Sequence, residues 1–148
     1  TAICMLDSLN HITDADGLKT ALERISLFLE PGGLFIFDVN TEYKHKYVLS
    51  GSCFVYECSG AVCVWSNGEC GGDGTVSINL DIFEEEEEGL YRRSVENFSE
   101  RAYGLGMIEA MLKESGFCVR GIYGDMSFDA AADTDERVYF VAQKQQNV

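Results

Sequence analysis

The chain opens on an unbroken apolar run, Thr1-Ala-Ile-Cys-Met-Leu6. An apolar run without alternation predicts a strand buried on both faces of a parallel sheet. It has neither an initiator methionine nor a polar lead-in, so it reads as a strand already under way, with sequence preceding it. Thr13 is a candidate helix cap, Asp14 and Asp16 suit a first turn, and Leu18, Ala21, Leu22, Ile25, Phe28 and Leu29 recur at helical spacing. That spacing predicts a helix with one apolar face. Pro31-Gly32-Gly33 stops it, since proline drives the preceding residue out of helical geometry and glycine permits a sharp reversal. Leu34-Phe-Ile-Phe-Asp-Val39 predicts a second buried strand. A strand–helix–strand unit of this size crosses over right-handedly, which makes the two strands parallel neighbours.

From Tyr43 to Tyr103 the texture changes to alternation. Cys53–Tyr56, Ala61–Ser66, Thr75–Phe83 and Tyr91–Phe98 read as strands, with turns at Asn67-Gly68, Gly71–Gly74 and the acidic run Glu84–Gly89. Successive alternating strands with turn residues between them predict an antiparallel insertion. Gly106–Ser115 follows as a short helix with Met107, Ile108, Met111 and Leu112 on one side and Gly116 as its C-cap. Phe117–Tyr123 and Arg137–Ala142 complete the pattern as two further strands. The five consecutive glutamates at 84–88 read as the solvated tip of a hairpin, because they lack the alternating ligands and central glycine of a calcium loop.

Composition narrows the function. A chain of 148 residues with 46% hydrophobic content is long enough for one compact domain but not for two. Its formal net charge of -14 repels phosphate backbones and anionic lipid surfaces, so neither nucleic acid nor membrane is an expected partner. No apolar run approaches the roughly 20 residues that span a bilayer, and the first residues do not read as a signal peptide; the cytoplasm is the expected location. Cys4, Cys53, Cys58, Cys63, Cys70 and Cys118 are scattered through strand-like segments and read as reduced thiols. Without a Cys-x-x-Cys pair, and with both histidines outside the stretch from Cys53 to Cys70, no metal is expected.

Four local motifs carry a resemblance that covers nearly the whole chain. They are Leu6-Asp-Ser-Leu-Asn-His11 after the first strand, Leu29-Glu-Pro-Gly-Gly-Leu-Phe-Ile-Phe-Asp-Val-Asn-Thr41, Glu96-Asn-Phe-Ser-Glu-Arg-Ala-Tyr103 and Met111-Leu-Lys-Glu-Ser-Gly-Phe117. In this order they resemble the C-terminal portion of class I S-adenosylmethionine-dependent methyltransferases, of the small-molecule type with an antiparallel lid inserted after the fifth strand. The resemblance implies an α/β fold: a partial Rossmann-like methyltransferase sheet, strands four to seven, with an antiparallel β insertion. The core is then residues 1–42 and 104–148, and the lid or substrate subdomain is residues 43–103. The four sheet strands are expected side by side in the family's order four, five, seven, six. No counterpart is found here of the family's first three strands, with their glycine-rich loop and ribose-binding acid. The resemblance therefore implies S-adenosyl-L-methionine as cofactor but only the acceptor-side half of its site, a stretch inactive by itself, and an exposed edge along residues 1–6 through which copies can associate. Relatives often carry histidine two residues after the lid glutamate; this chain has Phe98 there.

Methyl transfer from a sulfonium is a direct displacement, so the protein's task is to align the acceptor and exclude water. Ligands of open α/β sheets bind at the carboxyl ends of the strands, which points to Leu6–His11 and Asp38–Tyr43. His11 can take a proton from an ammonium acceptor, or it is an ordinary loop histidine. Leu6, Asp7, Ser8 and Asn10 are implied cofactor contacts by resemblance, with Asn10 alternatively bracing the turn. Asp38, near the end of an apolar strand, either faces the site or meets a donor. Tyr43 and Trp65 are either aromatic walls for a cation or lid core. Glu96 and Arg101 either face inward toward the substrate or form a cross-strand ion pair. Carboxylates and aromatics favour a small amine as acceptor. The rival reading from another class is a non-catalytic binding or assembly module with an acidic β surface. A dinucleotide fingerprint at Gly104-Leu-Gly106 is rejected, because Glu109 stands at the third glycine position, pointing negative charge at the would-be pyrophosphate.

Overall fold

A computed structural model describes residues 1–146. Two four-stranded sheets share the chain. The first runs β1 (Ala2–Cys4), β2 (Leu34–Asn40), β8 (Arg137–Lys144), β7 (Phe117–Gly124). β1 and β2 are parallel with Ile3 beside Ile36, while β8 is antiparallel to both of its neighbours. Between β1 and β2 lies α1 (Ala15–Phe28), and before β7 lies α3 (Leu105–Glu114). The second sheet, β3 (Cys53–Cys58), β4 (Ala61–Asn67), β5 (Thr75–Glu87) and β6 (Leu90–Arg101), is a wholly antiparallel meander.

Alternation along β2 and β8 decides which face each side chain takes. Phe35, Phe37 and Val39 join Val138, Phe140 and Ala142 on one face, where Leu18 and Leu22 of α1 and Ile108 and Leu112 of α3 meet them in one continuous cluster. The rings of Phe37 and Phe140 stack at 4.9 Å, adding geometric specificity to the apolar burial. The opposite face carries Ile36, Tyr123, Tyr139 and Val141 around a hollow of about 380 Å³, with Ile3, Met126 and Phe128 exposed.

Several expectations need correction. Asp14, not Thr13, caps α1, its carboxylate accepting from the Gly17 amide at 2.7 Å. Phe28 is 82% exposed, because six residues beyond Leu22 a side chain has turned roughly 120° off the apolar stripe. Met107 is likewise exposed. The segment expected to begin the lid is helical: α2 (Glu42–Lys44), capped by the Thr41 hydroxyl, runs into a π-turn over His45–Leu49. The acidic run is mostly strand, since β5 reaches Glu87 and Glu87 pairs with Leu90. β4 and β5 are joined by the loop 68–74, in which the expected turn at Gly71–Gly74 is closed by the Gly74 amide donating to the Gly71 carbonyl at 3.0 Å.

Candidate functional site

The parallel pair delivers two loops to one rim. After β1 the backbone turns through two successive left-handed residues, Leu6 (φ 61) and Asp7 (φ 50), a conformation that costs ordinary residues about 1–2 kcal/mol each. A hydrogen bond holds it, the Asp7 amide donating to Asp38 Oδ2 at 3.1 Å. Asp38 sits on β2 at 1% exposure and is ion-paired with Arg137 of β8, while Asp38 Oδ1 is buried without a partner. Arg137 also reaches Asp7 Oδ2 at 3.2 Å.

Asn10 and Asn40 lace the two loops together. Asn10 Oδ1 accepts from the Asn40 amide at 3.0 Å, and its Nδ2 donates to the carbonyls of Asn40 at 3.1 Å and Arg101 at 3.0 Å. Asn40 Nδ2 donates to Asp7 Oδ2 at 2.5 Å and to Glu100 Oε2 at 3.3 Å, and its Oδ1 accepts from Lys44 Nζ at 3.0 Å. Both asparagine side chains are buried, so each amide group must be partnered to avoid a desolvation cost of about 1–3 kcal/mol. The loops after β1 and β2 and the last residues of β6 are thus one polar unit.

His11 ends the 3-10 turn Ser8–His11 and is half exposed. Its ring lies 5.1 Å from that of Phe98, and its Nε2 lies 3.5 Å from Glu100 Oε1. Glu100, 4% exposed, has its pKa pushed up first by burial and then by the Asp7 carboxylate, with His11 and Asn40 opposing. On the other side of Glu100 lies His45, fully buried. Its Nδ1 donates to the Gly74 carbonyl at 2.9 Å, and its Nε2, 3.8 Å from Glu100 Oε2, has no hydrogen-bond partner. Burial pushes the His45 pKa down, with the Gly74 carbonyl opposing. The ring is therefore neutral at pH 7, with Nε2 as a bare acceptor.

The remaining anticipated residues divide. Leu6 is 77% exposed at the rim, and the Ser8 hydroxyl donates to the Met5 carbonyl at 2.7 Å. Tyr43 packs against Tyr47 at 5.1 Å and borders a small hollow with Thr41 and Tyr103. Trp65 packs in the cluster of the β3–β6 sheet, edge-on to Phe54, with its indole N–H on Asn67 Oδ1 at 2.7 Å. Glu96 is exposed opposite Leu80. Arg101 donates to the carbonyls of Asp73 and Thr13 and stacks over Tyr103 at 4.7 Å; among the described residues no ion pair joins it to Glu96. Sequence reading missed Asn40, Lys44, His45, Glu100 and Arg137. A signal for Glu100 existed, since period-two alternation places it on the face of Phe98.

No family model matches the chain. A protein of Geobacillus sp. (strain WCH70), named as a putative methyltransferase, is 30% identical over 138 residues, 93% of this chain and 56% of that protein. The crystal structure of an S-adenosylmethionine-dependent methyltransferase from Clostridium acetobutylicum ATCC 824 superposes with a TM-score of 0.87 at 32% identity, covering 97% of this chain and 57% of that one. A structure of CalS10, an amino pentose methyltransferase of Micromonospora echinaspora, superposes with a TM-score of 0.70 at 14% identity over 97% of this chain and 57% of that one, a likeness of fold. The chain is homologous to class I S-adenosylmethionine-dependent methyltransferases and corresponds to their C-terminal portion. It spans rather more than half the length of these relatives.

Proposed function

We propose that the rim is the acceptor side of a methyltransferase site and that the acceptor is a small amine. On this reading β1, β2, β8 and β7 are the family's strands four, five, seven and six, and residues 43–103 are a lid on a core of 1–42 and 104–148. The observation that carries it is the convergence of His11, Asn40 and Glu100 at the carboxyl ends of two parallel strands. Leu6, Asp7 and Ser8 fit the cofactor: an exposed apolar side chain stands beside a carboxylate, and the buried unpartnered Asp38 Oδ1 adds negative potential beneath them. S-Adenosyl-L-methionine, when bound, supplies an electrophilic methyl group. Asn10, whose amide is fully engaged, braces the turn, and Trp65 serves the lid's own packing.

The residues of the chain do the rest. His11 Nδ1 takes a proton from the acceptor's ammonium and frees the nitrogen lone pair. Asp7, Asp38 and Glu100, set against Lys44 and Arg137, attract a cationic group. Tyr43, with Glu96 on the outer lid, contacts the acceptor at the margin of the rim, while Arg101 ties the lid to the core. The amino pentose named for CalS10 supports an amino-bearing acceptor. The free edge of β1 is a seat for self-association at high concentration. The test is calorimetry of the full-length gene product with S-adenosylmethionine and S-adenosylhomocysteine, followed by release of S-adenosylhomocysteine in a panel of primary amines and amino sugars. Micromolar cofactor binding and turnover with at least one amine are expected. No cofactor binding overturns the reading in favour of the non-catalytic module.

A further inference from the structure

We infer that Glu100 is the positioning residue of a carboxylate–imidazole dyad, holding His11 by its Nε2 so that Nδ1 faces the acceptor. This inference rests on the role of His11 proposed above. Three features of the structure carry it.

The Glu100 carboxylate is oriented before it meets His11. Asn40 Nδ2 donates to Oε2 at 3.3 Å, and Asn40 is itself fixed by Asp7, Lys44 and the Asn10 amide. That leaves Oε1 directed at His11 Nε2, 3.5 Å away, a separation of the kind that shortens once substrate is bound. A buried, pre-aimed carboxylate fixes which ring nitrogen carries the proton and stabilises the imidazolium that forms.

The histidine ring is held on two sides by one strand. Phe98 and Glu100 are two residues apart on β6 and therefore share a face; Phe98 meets the ring at 5.1 Å and Glu100 meets its nitrogen. His11 belongs to the core loop and both of its partners to the lid, so the dyad exists only when the lid strand is seated.

His45 closes the other side of Glu100 without competing for it. Its Nδ1 proton is given to the Gly74 carbonyl, and its Nε2 has no proton with which to pair the ionised carboxylate. An ionised Glu100 therefore has His11 as its one titratable donor among the described residues. In the step itself the ammonium proton passes to His11 Nδ1, Nε2–H turns to Glu100 Oε1, and the acceptor keeps its lone pair.

Two measurements on the full-length protein test the dyad. The first needs no acceptor: the Glu100 side-chain carboxyl is followed by 13C NMR against pH in the wild type and in His11→Gln. Loss of the imidazole is expected to move the Glu100 midpoint to higher pH, and an unchanged midpoint overturns the dyad. The second uses any amine active in the panel above. Glu100→Gln, which keeps shape and can still accept from Asn40, is expected to lower kcat about 10- to 100-fold with cofactor affinity unchanged, and to have no further effect in a His11→Ala background. Additive losses, or a loss confined to KM, overturn the dyad and leave the base role standing. Full turnover in His11→Ala removes the base role instead.

Discussion

The two sheets have the same number of strands and opposite ways of staying folded. The β1-β2-β8-β7 sheet buries one face under α1 and α3 around Phe35, Phe37, Phe117 and Phe140. The β3–β6 sheet has a smaller apolar cluster: among the described residues Val76 and Ile78 are buried in it with Leu49 of the preceding helical turn, Phe54, Trp65, Leu80 and Phe98 are half-covered around them, and β3 and most of β6 are exposed. Its cluster lies at the end nearest the rim, where β5 and β6 enter the core. The first sheet is therefore stabilised by packing, whereas the second is a hydrogen-bonded ladder anchored at one end. The candidate site lies on the seam, where the anchored end of the ladder meets the packed sheet.

This contrast can be broken experimentally, beginning with the largest effect. Phe37→Ala empties the middle of the ring stack and is expected to cost about 3–5 kcal/mol, read as a fall in the denaturant midpoint for the whole chain; a loss below 1 kcal/mol would contradict the packing account. Gly74→Ala strikes the anchor. Gly74 has φ +83, and an added Cβ would stand 2.5 Å from the Ala102 carbonyl oxygen. A loss of about 1–3 kcal/mol is expected, with amide exchange accelerated in β5 and β6 before β2 and β8.

His45 gives the seam a pH dependence. Its folded pKa is depressed by burial, so its contribution is present above the unfolded value of about 6.5 and is lost as pH falls through the lower folded value. Glu100 runs the other way: its folded pKa is raised, so its contribution is fully present at acid pH and declines as pH rises through the raised value. Denaturation curves at pH 7.5 and below pH 6 should show the wild type losing stability on acidification and His45→Gln losing less; equal losses would remove His45 as the cause. Smallest of all, Glu86→Gln on the exposed ladder should change stability by no more than about 0.5 kcal/mol. A larger gain would mean that the acidic run strains the hairpin.

The packed sheet was the more legible part because its signals are periodic. Apolar runs gave both parallel strands and helical spacing gave α1 and α3, while the order of strands, implied by the resemblance and not by the pattern, is the order found. What pattern reading missed lies where periodicity says nothing. The segment 42–49 mixes polar and apolar residues over too few turns to show a stripe, yet the Thr41 cap makes it helical and buries His45. At the rim, Leu6–His11 and Asp38 were legible from their place after apolar strands. Arg137 and Glu100 were not, because each is brought there by pairing with a residue far along the chain, Arg137 with Asp38 99 positions away and Glu100 with His11 89 positions away. Trp65, which the sequence left open between a cation wall and a core residue, packs against Phe54 and Tyr56 with its indole N–H on Asn67.

The paired left-handed residues at Leu6 and Asp7 make the rim a latch. A peptide that favours relaxation is kept in place by its amide on the Asp38 carboxylate and by Asn40 and Arg137 on the Asp7 side chain, the arginine coming from the far end of the sequence. Anything that draws Asp38 away from that amide leaves the turn that presents the outward leucine to the Asp7 and Ser8 side chains alone.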